Sequence, residues 1–66
     1  MTEEQKKWIE DNKLIFTTSR NLYDGDLDML FSIYNSITGE NKKKTACGRC
    51  VTNVARRVWF EYNREL

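Results

Sequence analysis

Histidine and proline are both missing from the 66 residues of this chain, glycine occurs three times and cysteine twice. The missing histidine removes the side chain most used for proton transfer near neutral pH, and the commonest metal ligand. Acid–base chemistry would then fall to the carboxylates, and nothing in their spacing marks a perturbed pair. The missing proline leaves nothing to interrupt a long helix. Two cysteines are too few for the disulfide framework of a small secreted domain, and are half of what a closed zinc site requires. Apolar runs are short, as in Leu14 to Phe16 and Val58 to Phe60, far below the ~20 residues that span a bilayer. The opening Met-Thr-Glu-Glu-Gln has neither the basic nor the apolar part of a signal peptide. These absences predict a cytoplasmic protein, in a host cell cytoplasm or a particle assembled there, with its thiols reduced.

What is present suits a folded domain: 39% of the residues are hydrophobic and 32% charged, so wholesale disorder is not expected. Residues 1–66 hold a single domain, and one of this size buries only about 60% of the surface its unfolded chain exposes. The net charge of +1 excludes the global basicity of a nucleic-acid coat protein. The distribution is uneven. Glu3, Glu4, Glu10, Asp11, Asp24, Asp26 and Asp28 lie early, whereas Lys42, Lys43, Lys44, Arg49, Arg56, Arg57 and Arg64 lie late. Such asymmetry makes either a positive patch on a nearly neutral protein or an attraction between an acidic and a basic helix of one bundle.

Three helical segments follow from capping and periodicity. The first opens at Thr2, an N-cap with Gln5 three residues on, and carries Trp8 and Ile9 inward. Ile15 and Phe16 repeat that pair seven residues later, but Thr17, Thr18 and Ser19 weaken a helix, so a break is expected between Asn12 and Arg20. A short strand over Leu14 to Thr18 competes with this, although the chain offers no strand to pair with it. In the second segment Leu27, Leu30, Phe31, Tyr34 and Ile37 share one helical face, opened by Asp26 and closed by Gly39. Met29 and Ile33 widen its apolar arc, as suits a helix between two neighbours. Residues 40–44 form a charged loop, and Thr45 is expected to cap the third helix. The expected architecture is all-α: a small three-helix bundle, or a helical hairpin with an N-terminal helical arm.

The third segment has two faces. At 100° per residue from Ala46 to Leu66, Cys47, Cys50, Val51, Val54, Ala55, Val58 and Tyr62 fall on one broad arc, and Arg49, Asn53, Arg56, Phe60 and Arg64 on the other. A domain this small buries only one of them, so Phe60 among arginines, with Trp59 beside it, marks a surface for a partner. Aromatic and arginine side chains anchor protein interfaces, and they also stack on unpaired bases while neutralising phosphates. Against both stands a covered Phe60, packed beneath the N-terminal arm on Leu14 or Leu22.

Three motifs approximate known chemistries. Cys47-Gly-Arg-Cys50 lies at the start of the last helix, where the helix dipole, Arg49 and the lysine run favour thiolate. Thioredoxin-like redox use of such a motif needs a preceding strand and a sheet. Zinc would need two further thiolates from a second chain. The reading favoured here keeps both sulfurs in the core as an extension of the Val51, Val54 and Val58 stripe. Gly39-Glu-Asn-Lys-Lys-Lys-Thr45 approximates a phosphate loop, but Lys43 stands where the second glycine belongs, the spacing is one residue short, and a helix precedes it. Nucleotide hydrolysis is excluded, and what remains is anion or nucleic-acid binding by Lys42, Lys43 and Lys44. Asp24-Gly-Asp-Leu-Asp28 begins like a calcium loop, yet Met29 and Asn35 occupy its glycine and glutamate positions. A turn at Gly25 with Asp26 as N-cap explains the run.

From Leu27 to Val58 the chain resembles small accessory proteins of tailed bacteriophages, in which a helix ends in Tyr-x-x-x-Thr-Gly and a lysine-rich loop leads to Thr-x-Cys-x-x-Cys. The matching residues are Tyr34, Thr38, Gly39, Lys42 to Lys44, Thr45, Cys47 and Cys50. The resemblance implies a phage or prophage origin and an accessory role, and brings no catalytic residue with it. Together these readings predict a non-enzymatic interaction module that binds a larger protein through Arg49, Arg56, Trp59, Phe60 and Arg64, as a small virion structural or assembly component. The alternatives are nucleic-acid binding through the same face and Lys42 to Lys44, and a phage inhibitor of a host protein.

Overall fold

The computed structural model describes residues 1–17, 22 and 24–66. The first helix, α1 (Glu3–Asp11), is set by a full capping box. Thr2 Oγ1 accepts the Gln5 N–H at 3.1 Å and Gln5 Oε1 accepts the Thr2 N–H at 2.9 Å, so two otherwise orphaned donors are satisfied reciprocally. Glu3 and Glu4 add charge of the favourable sign in the first turn. The helix ends at Asn12, whose side-chain amide donates to the Trp8 carbonyl at 2.8 Å while its N–H reaches Trp8 and Ile9. The expected break therefore falls at its earliest position.

A single short helix, α2 (Lys13–Thr17), follows. Strand geometry over Leu14 to Thr18 is overturned for the described part of that segment: Thr17 Oγ1 donates to the Lys13 carbonyl at 3.1 Å, and among the described residues no strand competes for these backbone groups. Thr18 lies outside the described residues. The next helix, α3 (Asp24–Thr38), starts two residues before the expected Asp26. Asp26 and Gly25 thus sit inside the first turn rather than in a cap and a turn, and the Asp26 charge is of the sign the helix start favours. Thr38 Oγ1 bonds back to Tyr34 O at 2.8 Å, and Gly39 ends the helix as expected, at φ 75 with its N–H on Asn35 O.

The last helix, α4 (Gly48–Arg64), corrects the expected cap. Thr45 closes a small turn before the helix, its Oγ1 accepting the Cys47 N–H at 3.2 Å, and Cys47 itself occupies the N-cap position. α4 is the hub: α3 packs most closely against it, and α1 and α2 pack against it as well. Val54, Val58 and Tyr62 from α4 meet Leu27, Leu30, Phe31 and Ile33 from α3 and Ile9 from α1 in one core. The fold is all-α, a C-terminal helical hairpin carrying an N-terminal helical arm.

The arm is fastened by aromatic rings. Trp8 meets Phe16 edge-on at 6.4 Å, Phe16 stacks on Trp59 at 5.2 Å, and Trp59 stacks on Tyr62 at 5.5 Å. Tyr62 Oη then donates to Glu10 at 2.9 Å. At the chain ends the Met1 ammonium and Lys6 approach Glu65 at 3.3 and 3.9 Å. No helix among the described residues is long and apolar enough to cross a membrane.

Leu30 is fully buried, and Leu30→Ala should destabilise the fold by about 2–5 kcal/mol through lost transfer energy and a residual cavity. Small domains have about that much stability in total. A urea titration followed by circular dichroism should show a largely unfolded variant, and an unchanged midpoint would mean that the α3–α4 core is not where the stability lies.

Candidate interaction surface

The outer face of α4 emerges from what the core consumes. Val54, Val58 and Tyr62 turn inward, which forces residues on the opposite side of the same helix into solvent. Arg49, Asn53, Arg56, Phe60 and Arg64 are exposed and fall within about 80° of arc, along roughly 22 Å of helix. Phe60 is 60% exposed. The covered reading is therefore overturned: Leu14 is itself 57% exposed, and Leu22 packs on the core margin instead.

Four of the five proposed contact residues are brought together, and the fifth is set apart. Trp59 lies a quarter-turn away from Phe60, half-buried between Phe16 and Tyr62. Its indole plane is used by the arm, so it borders the face without forming it. The arginines differ in how they are held. Arg57 Nε lies 3.3 Å and Arg64 Nη1 3.7 Å from the same Glu61 oxygen, within one helix. Arg49 and Arg56 make no ion pair among the described residues. Of the two arrangements that the charge asymmetry allowed, the described ion pairs of α4's arginines do not reach across to the acidic first helix, and the basic face stays outward. Exposed pairs of this kind contribute under about 1 kcal/mol, so they hold Arg57 and Arg64 only weakly.

The lysine loop is tied down more than a charged loop need be. Asn35 clasps the Lys42 backbone with two hydrogen bonds, Nδ2 to Lys42 O at 3.0 Å and Lys42 N–H to Oδ1 at 2.9 Å. The Lys42 ammonium lies 5.3 Å from the Tyr34 ring centroid, and Lys44 Nζ is 2.9 Å from Asp28. Lys43 is exposed. Tyr34 Oη donates to Glu40, closing the loop on α3. That bond holds the Glu40 carboxyl below its usual range, helped by Lys42, Thr38 and Arg57, and raises the Tyr34 phenol. On the other side of the hairpin, burial and then the Glu10 carboxylate push the Tyr62 phenol up.

The core reading of the two cysteines is also corrected. Cys47 is exposed and Cys50 only half-buried, and both are free thiols. α4 begins at Gly48, so Cys47 precedes the helix and its side chain is not carried round to the apolar stripe. No hydrogen bond of ordinary length caps the helix there, yet the Cys50 N–H and thiol, with the Arg49 N–H, bear on the Cys47 sulfur and hold that thiol below its usual range. The Cys50 thiol is raised, chiefly by its interaction with Cys47 and by burial. No group of three or more metal-ligating side chains occurs among the described residues, so zinc would still need thiolates from a second copy.

No family model, no curated protein and no solved structure matches this chain.

Tyr34→Phe should let Glu40 titrate nearer the ordinary carboxylate range, seen as a higher midpoint for its side-chain carbon in an NMR titration. Because the fold lowers the Glu40 pKa, the pair stabilises above the carboxylate's unfolded pKa, and that contribution is lost as pH falls through the lower folded value. Tyr34 works at the other limb: its raised phenol contributes below its unfolded pKa and ceases to as pH rises through the folded one. An unchanged Glu40 midpoint in the variant would sink this assignment.

Proposed function

We propose that this chain is a non-enzymatic interaction module that binds a larger protein through the outer face of α4. The observation that carries this reading is Phe60, well exposed among Arg49, Arg56 and Arg64 on a helix whose opposite edge is already spent on the core. Such a face suits a groove with an apolar floor and acidic rims, the mode in which one amphipathic helix lays its anchors at i, i+4 and i+7. Burying Phe60 there supplies about 1.5–3 kcal/mol, and the guanidinium groups pair with carboxylates on the rim. Trp59 supports the face from its edge.

The resemblance to accessory proteins of tailed phages gives the setting: a virion structural or assembly component, acting in the host cytoplasm or the particle. A phage inhibitor of a host protein would use the same face on a different partner. Nucleic acid ranks behind protein because two of the three loop lysines are engaged within the chain, Lys42 over Tyr34 and Lys44 on Asp28. The net charge of +1 adds no long-range attraction for phosphate.

The test is a pull-down from host and phage-infected lysates with wild type, Phe60→Ala and Arg56→Glu, each with and without nuclease. Phe60→Ala should leave the urea midpoint nearly unchanged, within about 0.5 kcal/mol, while weakening capture at least about 30-fold, as loss of an anchor does. Arg56→Glu should weaken it too. Capture abolished by nuclease would move the function to nucleic acid. Capture indifferent to both substitutions would show that another face is used.

A further inference from the structure

The Cys47 and Cys50 thiols take no part in the surface just described, to which only Arg49 of this segment belongs, and their geometry gives them a chemistry of their own. Cys47 sits outside the helix ladder with φ −62 and ψ 117, and its N–H is held by Thr45 rather than by a helical carbonyl. Its side chain can therefore turn toward Cys50 without breaking an intrahelical hydrogen bond, because only its carbonyl is engaged, by the Val51 N–H at 2.9 Å. The two thiols already interact side chain to side chain, and the approach still needed to reach the Cβ separation of a disulfide, about 3.5–4.5 Å, falls on the N-cap residue, the one with freedom to make it.

The two thiols are also unequal. Cys47 is exposed and open to a bimolecular reagent, whereas Cys50 is half-buried one turn behind it. Arg49 lies exposed between them. This cation favours a reagent that carries carboxylates.

We propose that Cys47 and Cys50 form a reversible dithiol–disulfide site, in which Cys47 attacks an anionic low-molecular-weight disulfide of the glutathione type and Cys50 closes an intramolecular bond. In the first step the Cys47 thiolate forms a bond to one sulfur of the reagent, the reagent's S–S bond breaks, and one thiolate leaves. In the second, Cys50 gives up its proton and its sulfur attacks the Cys47 sulfur, expelling the second thiolate. Two electrons pass from the two cysteines to the reagent, and the two cysteine protons end on the two released thiols. Reduced glutathione runs the sequence backwards. With its thiol lowered and that of Cys50 raised, Cys47 is the better source of attacking thiolate of the two. No sheet is needed for this couple, only the helix start. It stands whether or not the α4 face binds protein.

The experiment takes the full chain as wild type, Cys47→Ser and Cys50→Ser through mixtures of oxidised and reduced glutathione at neutral pH. Maleimide trapping, intact mass and circular dichroism are read together. Wild type should lose two hydrogens, become resistant to maleimide, remain monomeric and recover on reduction. Cys50→Ser should stop at a glutathione adduct on Cys47, and Cys47→Ser should react at least tenfold more slowly. The alkylation rate of Cys47 should reach half its maximum at a pH below the ordinary thiol value of about 8.5. Persistence of the mixed disulfide in wild type, a disulfide-linked dimer, equal rates for the two serine variants, or no oxidation would each overturn the proposal.

Discussion

Burial of one edge of α4 is the interaction on which the rest of the molecule depends. Val54, Val58 and Tyr62 give α3 and α1 a common surface to pack on, and α2 reaches the same helix through Phe16. A domain of this size has little apolar area to spend, so a single helix serving as wall for all the others is an economical use of it. The same commitment fixes what stays outside. A straight helix with its inner edge fully engaged must present its other edge to water, and on that edge the sequence carries arginines and Phe60. The binding surface and the core are two consequences of one periodicity.

Much of this was readable beforehand. The Thr2 capping box, the α3 face and the Gly39 stop are local rules written within a few residues, and local rules survive folding. The outer stripe of α4 was readable because its five residues, at helical spacing opposite the apolar arc, cannot be turned inward together with that arc. What escaped were features that depend on where a helix starts or on who its neighbours are. A helical wheel extended to Ala46 puts Cys47 on the apolar stripe, but α4 begins at Gly48 and the wheel has no authority before it. Adjacency in sequence groups Trp59 with Phe60; only the arrival of Phe16 from α2 shows that its ring is occupied. The early break at Asn12 comes from its amide capturing the Trp8 carbonyl, which weak helix propensity further along did not locate.

The lysine loop makes the same point for charge. Three consecutive lysines read as a solvated run, and in part they are, through Lys43. Asn35 nevertheless holds the Lys42 backbone across the turn, and Asp28 takes Lys44. These contacts use the loop's cations to close the hairpin rather than to advertise them. Charge that has already found a partner within the chain is a weaker lure for phosphate than its count suggests.

The clasp at Asn35 closes the shortest connection between α4 and a helix packed on it. The α3–α4 connection is short, residues 39–47, and closing a loop of about that length takes tens of nanoseconds. The arm must instead bring Glu10 to Tyr62 across 52 positions, which costs about 1.5 kcal/mol more in chain entropy if attempted first. Loop closure alone therefore favours the hairpin ahead of the arm. With the arm lifted away, Ile9 would leave the core and the rings of Trp59 and Tyr62 would meet water, so the molecule's own N-terminal segment acts as a cover over the inner edge of its central helix.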